Sequence, residues 1–196
     1  MSDSLTKEFN QFGMGARDRI NYAALDLFVR RGIKGTTTRE IAKNAGIAEV
    51  TIYRHFKGKH EIASSLFTRY IEQFYRKMVD SIEFLSHPVE KLYALIDAFF
   101  EFSSEEPLAY KYVNAGHSNE LSAMLHEVNK PKDVFSQVIA EGIDRGVFSE
   151  IEVNLATAMV VGILTRVITF QENGLISYDH ESVVKQVKNS TLNVLV

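Results

Sequence analysis

Apolar residues recur at helical spacing along most of this 196-residue chain, and strand-like alternation bounded by turns is scarce. The first amphipathic run, Ala16 to Arg31, sets Ile20, Ala24, Leu27 and Phe28 on one side and stops at Gly32, a residue suited to closing a helix. Thr37 followed three residues later by Glu40 fits a capping box, so a second helix is predicted to start there. Ile41, Ala42 and Ala45 form its buried face, Gly46 supplies a left-handed stop, and Ile47 gives the hydrophobic contact of that cap. Ile52 and Phe56, four apart, then lay down one buried stripe for a third helix. Beyond it the pattern predicts helices from Lys59 to about Ile82, Val89 to Ser103 and Pro107 to Val113. A longer helical region from Asn119 to Gly146 is expected to be bent or interrupted near Pro131, and Val153 to Gln171 and Glu181 to Leu195 complete the series. Asn114 to Asn119 reads as a loop, and Glu141 to Ser149 holds two glycines near a helix end. The expected fold is all-α.

Two short helices joined by a glycine turn, over Thr37 to Phe56, are the grammar of a helix-turn-helix. The side of the third helix away from Ile52 and Phe56 carries Glu49, Val50, Thr51, Tyr53, Arg54 and His55. Hydroxyls, cations and one carboxylate suit phosphates and base edges, which marks a candidate recognition helix. The competing reading is an amphipathic hairpin whose polar side only meets water. Charge distribution favours the first. The formal net charge of -3 argues against a polyanionic partner, yet residues 15–60 hold ten Lys or Arg against four Asp or Glu, a net +6 that leaves -9 for the remainder. A basic head on an acidic body is the arrangement implied.

The run ARDRINYAALDLFVRRGIKGTTTREIAKNAGIAEVTIYRHFKGKHEI resembles the DNA-binding head of the TetR family of bacterial transcriptional repressors. The likeness rests on the Gly32-to-Thr38 link, Ile41–Ala42, Ala45–Gly46, and TIYRHF with Lys59 soon after. Two positions depart from it: Ala48 stands where the family often has a capping Ser, and Gly58 where Ser often caps the fourth helix. The resemblance implies that Thr38 and Thr51 donate their hydroxyls to phosphate and that Tyr53 and His55 also donate to backbone phosphates, through a hydroxyl and a ring N–H. Arg54 shares their face, and Lys59 is expected to add positive charge at the head of the fourth helix, whose N-terminus itself favours an anion. Arg39 is the position expected to read guanine, because a guanidinium fork matches the two acceptors of its major-groove edge. Glu49 either accepts from a cytosine amino group or merely stabilises the start of its helix, and Val50 meets a thymine methyl or is idle. The resemblance also implies a homodimer through the two C-terminal helices, double-stranded operator DNA as partner, and a small-molecule effector pocket in the body. Tyr93, Phe100, Tyr110 and Phe135 are taken as its lining, for an apolar or aromatic ligand.

The remaining composition narrows the alternatives. With 45% hydrophobic residues the chain has enough apolar material for a small head plus a larger body. The expected division is a flexible arm over 1–14, a helix-turn-helix domain over 15–60, and a helical ligand-binding and dimerisation domain over 61–196. There is no cysteine, which excludes disulfides and thiolate metal sites. His117 and His126 form no recognisable ligand pair, so no metal and no cofactor is expected. The first 14 residues lack the layout of a signal peptide, and the apolar window Leu155 to Phe170 is shorter than a membrane span needs and contains Arg166. No membrane partner is expected, and a cytoplasmic location is. No nucleophile motif, phosphate loop or HExxH cluster points to an enzyme. The rival readings are a helical lipid carrier or enzyme built on the apolar body, and a DNA-binding regulator that answers to a protein partner or to nothing.

Overall fold

The computed structural model describes residues 14–114 and 129–196, and the regular structure among them is helical. In chain order the helices are α1 (Ala16–Arg31), α2 (Thr38–Ala45), α3 (Glu49–His55), α4 (Lys59–Ile82), α5 (Pro88–Glu105), α6 (Pro107–Asn114), α7 (Pro131–Asp144), α8 (Val153–Glu172) and α9 (His180–Leu195). Pro88, Pro107 and Pro131 each open a helix, where the missing N–H costs nothing. Pro131 starts α7, so of the two expected outcomes, a bend or an interruption, the described residues show a fresh helix start there. The expected helical stretch before it and the loop after Asn114 lie outside the described residues, as do the N-terminal arm, His117 and His126.

The chain divides into two compact units, one drawn from Met1–Tyr70 and Pro107–Val128, the other from Ile71–Glu106 and Asn129–Val196. The first unit reaches past the expected boundary at residue 60 because the helical triplet is not a closed core. Helix α1 packs on α2, α3 and α6. Ile20, Phe28, Ile41, Ala45 and Ile52 are fully buried there, together with Ile62 and Tyr112. Tyr112 explains why α6 belongs with the head: its ring lies 6.1 Å from that of Phe28 and 6.4 Å from that of Phe67, and its hydroxyl donates to the Ala63 carbonyl at 2.9 Å. An aromatic hydroxyl taken out of water needs such an acceptor, and burial pushes its pKa well above the ordinary tyrosine range.

In the second unit α7 packs on α5 and α8, and α9 on α5 and α8. Its centre is an aromatic cluster: Phe74 stacks on Phe102 at 4.1 Å, meets Phe99 at 5.1 Å, and Phe99 meets Phe135 edge-on at 6.2 Å. Charged side chains tie the periphery. Lys91 donates to Glu141 at 2.6 Å, Arg145 to Glu141 at 2.9 Å and to the Ser86 carbonyl at 2.7 Å, and Lys188 to Asp97 at 2.6 Å. Helix α8 differs from the others. It has 20 residues, four more than the expected window, and by length and composition alone is apolar enough to cross a membrane, a property that a buried core helix shares. Ala156, Val160, Leu164 and Ile168 make its buried face, while Leu155, Met159 and Phe170 on another side stay about half exposed.

One packing detail gives a direct test. A Cβ added to Gly142 in α7 would lie 2.0 Å from the ring of the buried Phe148, whose backbone N–H, with that of Val147, is bonded to the Gly142 carbonyl. Gly142→Ala is expected to lower unfolding free energy by about 1–3 kcal/mol, as overpacking does. Gly162→Ala, whose added Cβ meets nothing within 4 Å, should cost nothing in packing within the chain. Urea titration of both variants checks the contrast.

Candidate nucleic-acid interface

The interface is built on two helices that are too short to hold themselves. Helix α2 is fixed at its start by a complete capping box: the Glu40 N–H donates to Thr37 Oγ1 at 3.2 Å and the Thr37 N–H donates to Glu40 Oε2 at 2.9 Å. Arg31 at the end of α1 adds a 2.9 Å contact to Glu40 Oε1. The Thr37 hydroxyl, then the Thr37 N–H and Arg31, hold the Glu40 carboxyl below its ordinary pKa. At the other end Gly46 adopts φ 65° and ψ 38°, and the Ile47 N–H returns to the Ala42 carbonyl at 3.1 Å. A side chain at Gly46 would be strained in that left-handed conformation.

Helix α3 follows two residues later. Ala48 occupies its N-cap without a side-chain bond, as its chemistry dictates. The restraint comes from elsewhere: Ile52 and Phe56 are buried, and the Arg17 guanidinium lies 5.3 Å above the Phe56 ring. The opposite side of α3 is open. Val50 is 60% exposed and Tyr53 55%, and Arg54 and His55 are exposed as well. Thr51 is half-buried. Arg39, in the first turn of α2, is exposed and forms no hydrogen bond or ion pair among the described residues.

Four of the expected contact residues have partners inside the protein. Thr38 Oγ1 lies 2.7 Å from Glu49 Oε1 and 3.3 Å from the Tyr53 hydroxyl, which joins the start of α2 to α3. The Lys59 ammonium donates to the carbonyls of Ile33 at 2.9 Å and Thr36 at 2.8 Å, with Lys34 at 3.5 Å. Lys59 is thus an anchor for the α1–α2 link in this state. Neither link was visible in the sequence, because spacings of 11 and more than 20 residues across turns leave no periodic trace.

Of the four expected ligand-lining aromatics, Tyr110 belongs to the first unit and the other three to the second. Phe135 is fully buried against Phe99. Phe100 meets the His180 ring edge-on at 5.7 Å and lines a groove of about 430 Å³ between α5 and α9, with Asp97, Lys185 and Lys188 among its other walls. Tyr93 lies near it, 5.6 Å below the Lys188 ammonium. No group of three or more His, Asp or Glu placed to hold a metal occurs among the described residues.

A capped α2, a left-handed glycine turn and an α3 with one buried and one uncommitted side define a helix-turn-helix of the DNA-binding class. Residues 20–66 match the family model described as bacterial regulatory proteins, tetR family, and residues 67–193 match that of the YsiA-like protein C-terminal region. The chain belongs to the TetR family and is a transcriptional regulator. It is 30% identical over 179 residues to the fatty acid metabolism regulator protein of Bacillus subtilis, covering 89% of this chain and 90% of that one. The structure of the fatty acid degradation regulator FadR from Bacillus halodurans is similar with a TM-score of 0.74 at 28% identity, over 91% of this chain and 95% of that chain. FadR from Bacillus subtilis in complex with stearoyl-CoA gives 0.73 at 26% identity, over 91% and 98%.

The capping box carries its own prediction. Thr37→Ala should destabilise the protein by about 1 kcal/mol. Because the folded Glu40 pKa is depressed, its contribution is present above the unfolded carboxyl value and disappears as pH falls through the folded one. The wild-type melting temperature should therefore drop as pH is lowered from about 5 toward 3, and Thr37→Ala should show a shallower drop. Calorimetry over that range measures both.

Proposed function

We propose that this regulator is a repressor that occupies operator DNA as a homodimer and is released by a long-chain acyl thioester of coenzyme A. The observation that carries the DNA part is the contrast between a locked scaffold and an uncommitted face: α2 and α3 are held by caps and buried apolar side chains, while Arg39, Arg54 and His55 stand exposed. Arg39 reads a guanine, Val50 meets a thymine methyl, and Glu49 accepts from a cytosine amino group. Thr51, Arg54 and His55 bind backbone phosphates, which sets register without reading sequence. Lys59 acts by bracing the α1–α2 link.

The acyl-CoA assignment is supported by the relatives that regulate fatty acid metabolism, one of which is described with stearoyl-CoA bound. A body rich in aromatic and aliphatic side chains suits an acyl chain, with Tyr93, Phe100 and Phe135 of the second unit as proposed contributors once a ligand opens space, and Tyr110 of the first unit proposed on the family resemblance alone. Release is a population shift: the ligand binds a DNA-incompetent state more tightly, since equal affinity for both states moves nothing. The half-covered apolar side of α8, with Leu155, Met159 and Phe170, together with α9, is assigned to a second copy, because two heads are needed to read half-sites about one DNA turn apart or a multiple of it. The place of action is the cytoplasm, and no catalytic step is assigned.

Selection of bound fragments from the source genome supplies a duplex for the tests. On it, Arg39→Ala should lose about 1–3 kcal/mol of binding and relax one base preference. Unchanged sequence preference in that variant would remove Arg39 from direct readout. Stearoyl-CoA should weaken wild-type binding to that duplex in a fluorescence titration; tight stearoyl-CoA binding with no effect on DNA affinity would remove release by this ligand while leaving DNA recognition intact. Sedimentation should give a dimer at micromolar concentration, and a monomer with intact DNA binding would contradict the paired-head reading.

A further inference from the structure

The Thr38, Glu49 and Tyr53 contacts form a hydrogen-bonded chain whose proton directions are fixed by chemistry. An ionised carboxylate only accepts, so the Thr38 hydroxyl spends its single proton on Glu49 Oε1, 2.7 Å away. The Thr38 oxygen then has only lone pairs to offer, and the Tyr53 hydroxyl is the donor of the 3.3 Å contact, which is the longer and weaker of the two. The order runs from Tyr53 to Thr38 to Glu49. Both hydroxyl protons are used inside the protein, and neither is left for a phosphate.

The geometry points to Thr38 as a positioning residue that holds the Glu49 carboxylate for base readout, with Tyr53 behind it, a role that rests on the operator-binding reading above. Glu49 is the first residue of α3, beside an N-cap alanine that provides no side-chain restraint. An unrestrained glutamate there samples several rotamers, loses that freedom on meeting a base, and otherwise only repels phosphates. A charge-assisted bond of 2.7 Å from Thr38 removes most of the rotamer choice before DNA arrives. It engages Oε1 alone, so Oε2 remains as an acceptor for one exocyclic amino group, the pattern cytosine presents in the major groove. A fixed acceptor discriminates between bases without adding attraction to DNA in general. Thr38 therefore acts on specificity and leaves non-specific affinity untouched.

The test uses full-length protein and duplexes with a randomised centre, selected on the wild type. Affinities for the best selected duplex, its single-base-pair variants and a non-specific duplex are measured at one salt concentration. The variants are Thr38→Val, Thr38→Ser, Tyr53→Phe, Glu49→Ala and the double variant Thr38→Val/Glu49→Ala, each confirmed folded by circular dichroism. Thr38→Val and Glu49→Ala should each lose about tenfold discrimination at the same base pair. Tyr53→Phe should lose less, and Thr38→Ser, which keeps the donor, should retain it. In the Glu49→Ala background Thr38→Val should change nothing further, because its effect passes through the carboxylate. The proposal is overturned if Thr38→Val weakens all duplexes alike, if it still acts in the Glu49→Ala background, or if Glu49→Ala alters no base preference. Should Thr38→Val not fold, Tyr53→Phe alone and combined with Glu49→Ala decides by the same criteria. Failure of the wild type to enrich any sequence would overturn the operator reading and this role with it.

Discussion

Seven residues cannot sustain a helix in water, and α3 has seven with an alanine at its N-cap. What the head presents to a partner therefore depends on the burial of Ile52 and Phe56 against α1 and α2, and on the left-handed turn at Gly46 that sets the angle between the two short helices. Apolar burial does for α3 what local hydrogen bonding cannot. The same contacts decide which side of the helix is left for DNA, since side chains at the positions between Ile52 and Phe56 have nowhere else to go. Arg31, Lys59 and the capping box extend that logic by fixing the segment between α1 and α2 with charged groups bonded to a carboxylate and to carbonyls.

The body answers to a different constraint. Its aromatic cluster around Phe74, Phe99, Phe102 and Phe135 is closed within the second unit, whereas α8 keeps an apolar side half open to solvent. That row, which also holds Arg166, is the side that the proposed second copy would cover. Helix α4 is the element shared by the two units, and Tyr112, through Ala63, ties α6 to its first half. An effector that alters the packing of the body acts on DNA affinity only as far as its two binding states differ in energy.

Much of the fold was legible because its signals are local. Helix starts at Thr37, Pro107 and Val153, the stop at Gly46, and the buried stripes of α1 to α3 follow from periodicity and caps, which need no knowledge of distant residues. The extent of the head was less legible: Tyr112 joins it from more than 50 residues beyond the recognition helix, and no periodic pattern announces a partner at that distance. The same holds for Thr38 with Glu49 and for Lys59 with the α1–α2 carbonyls, where a residue expected to face phosphate instead bonds to its own chain. The surroundings of the aromatic residues in the body were illegible for a related reason. Helical spacing marks Phe100 and Phe135 as inward-facing, but which neighbour each meets, His180 or Phe99, is decided by tertiary packing.

The proposed mode of binding has two copies of a cationic helix-turn-helix entering neighbouring major grooves. Hydroxyl-radical footprinting of the full-length protein on a duplex selected from its own genome measures this most directly. Two protected patches related by two-fold symmetry are expected, with centres separated by about one helical turn or a multiple of it. A single short patch, or uniform weak protection that does not depend on sequence, would contradict it.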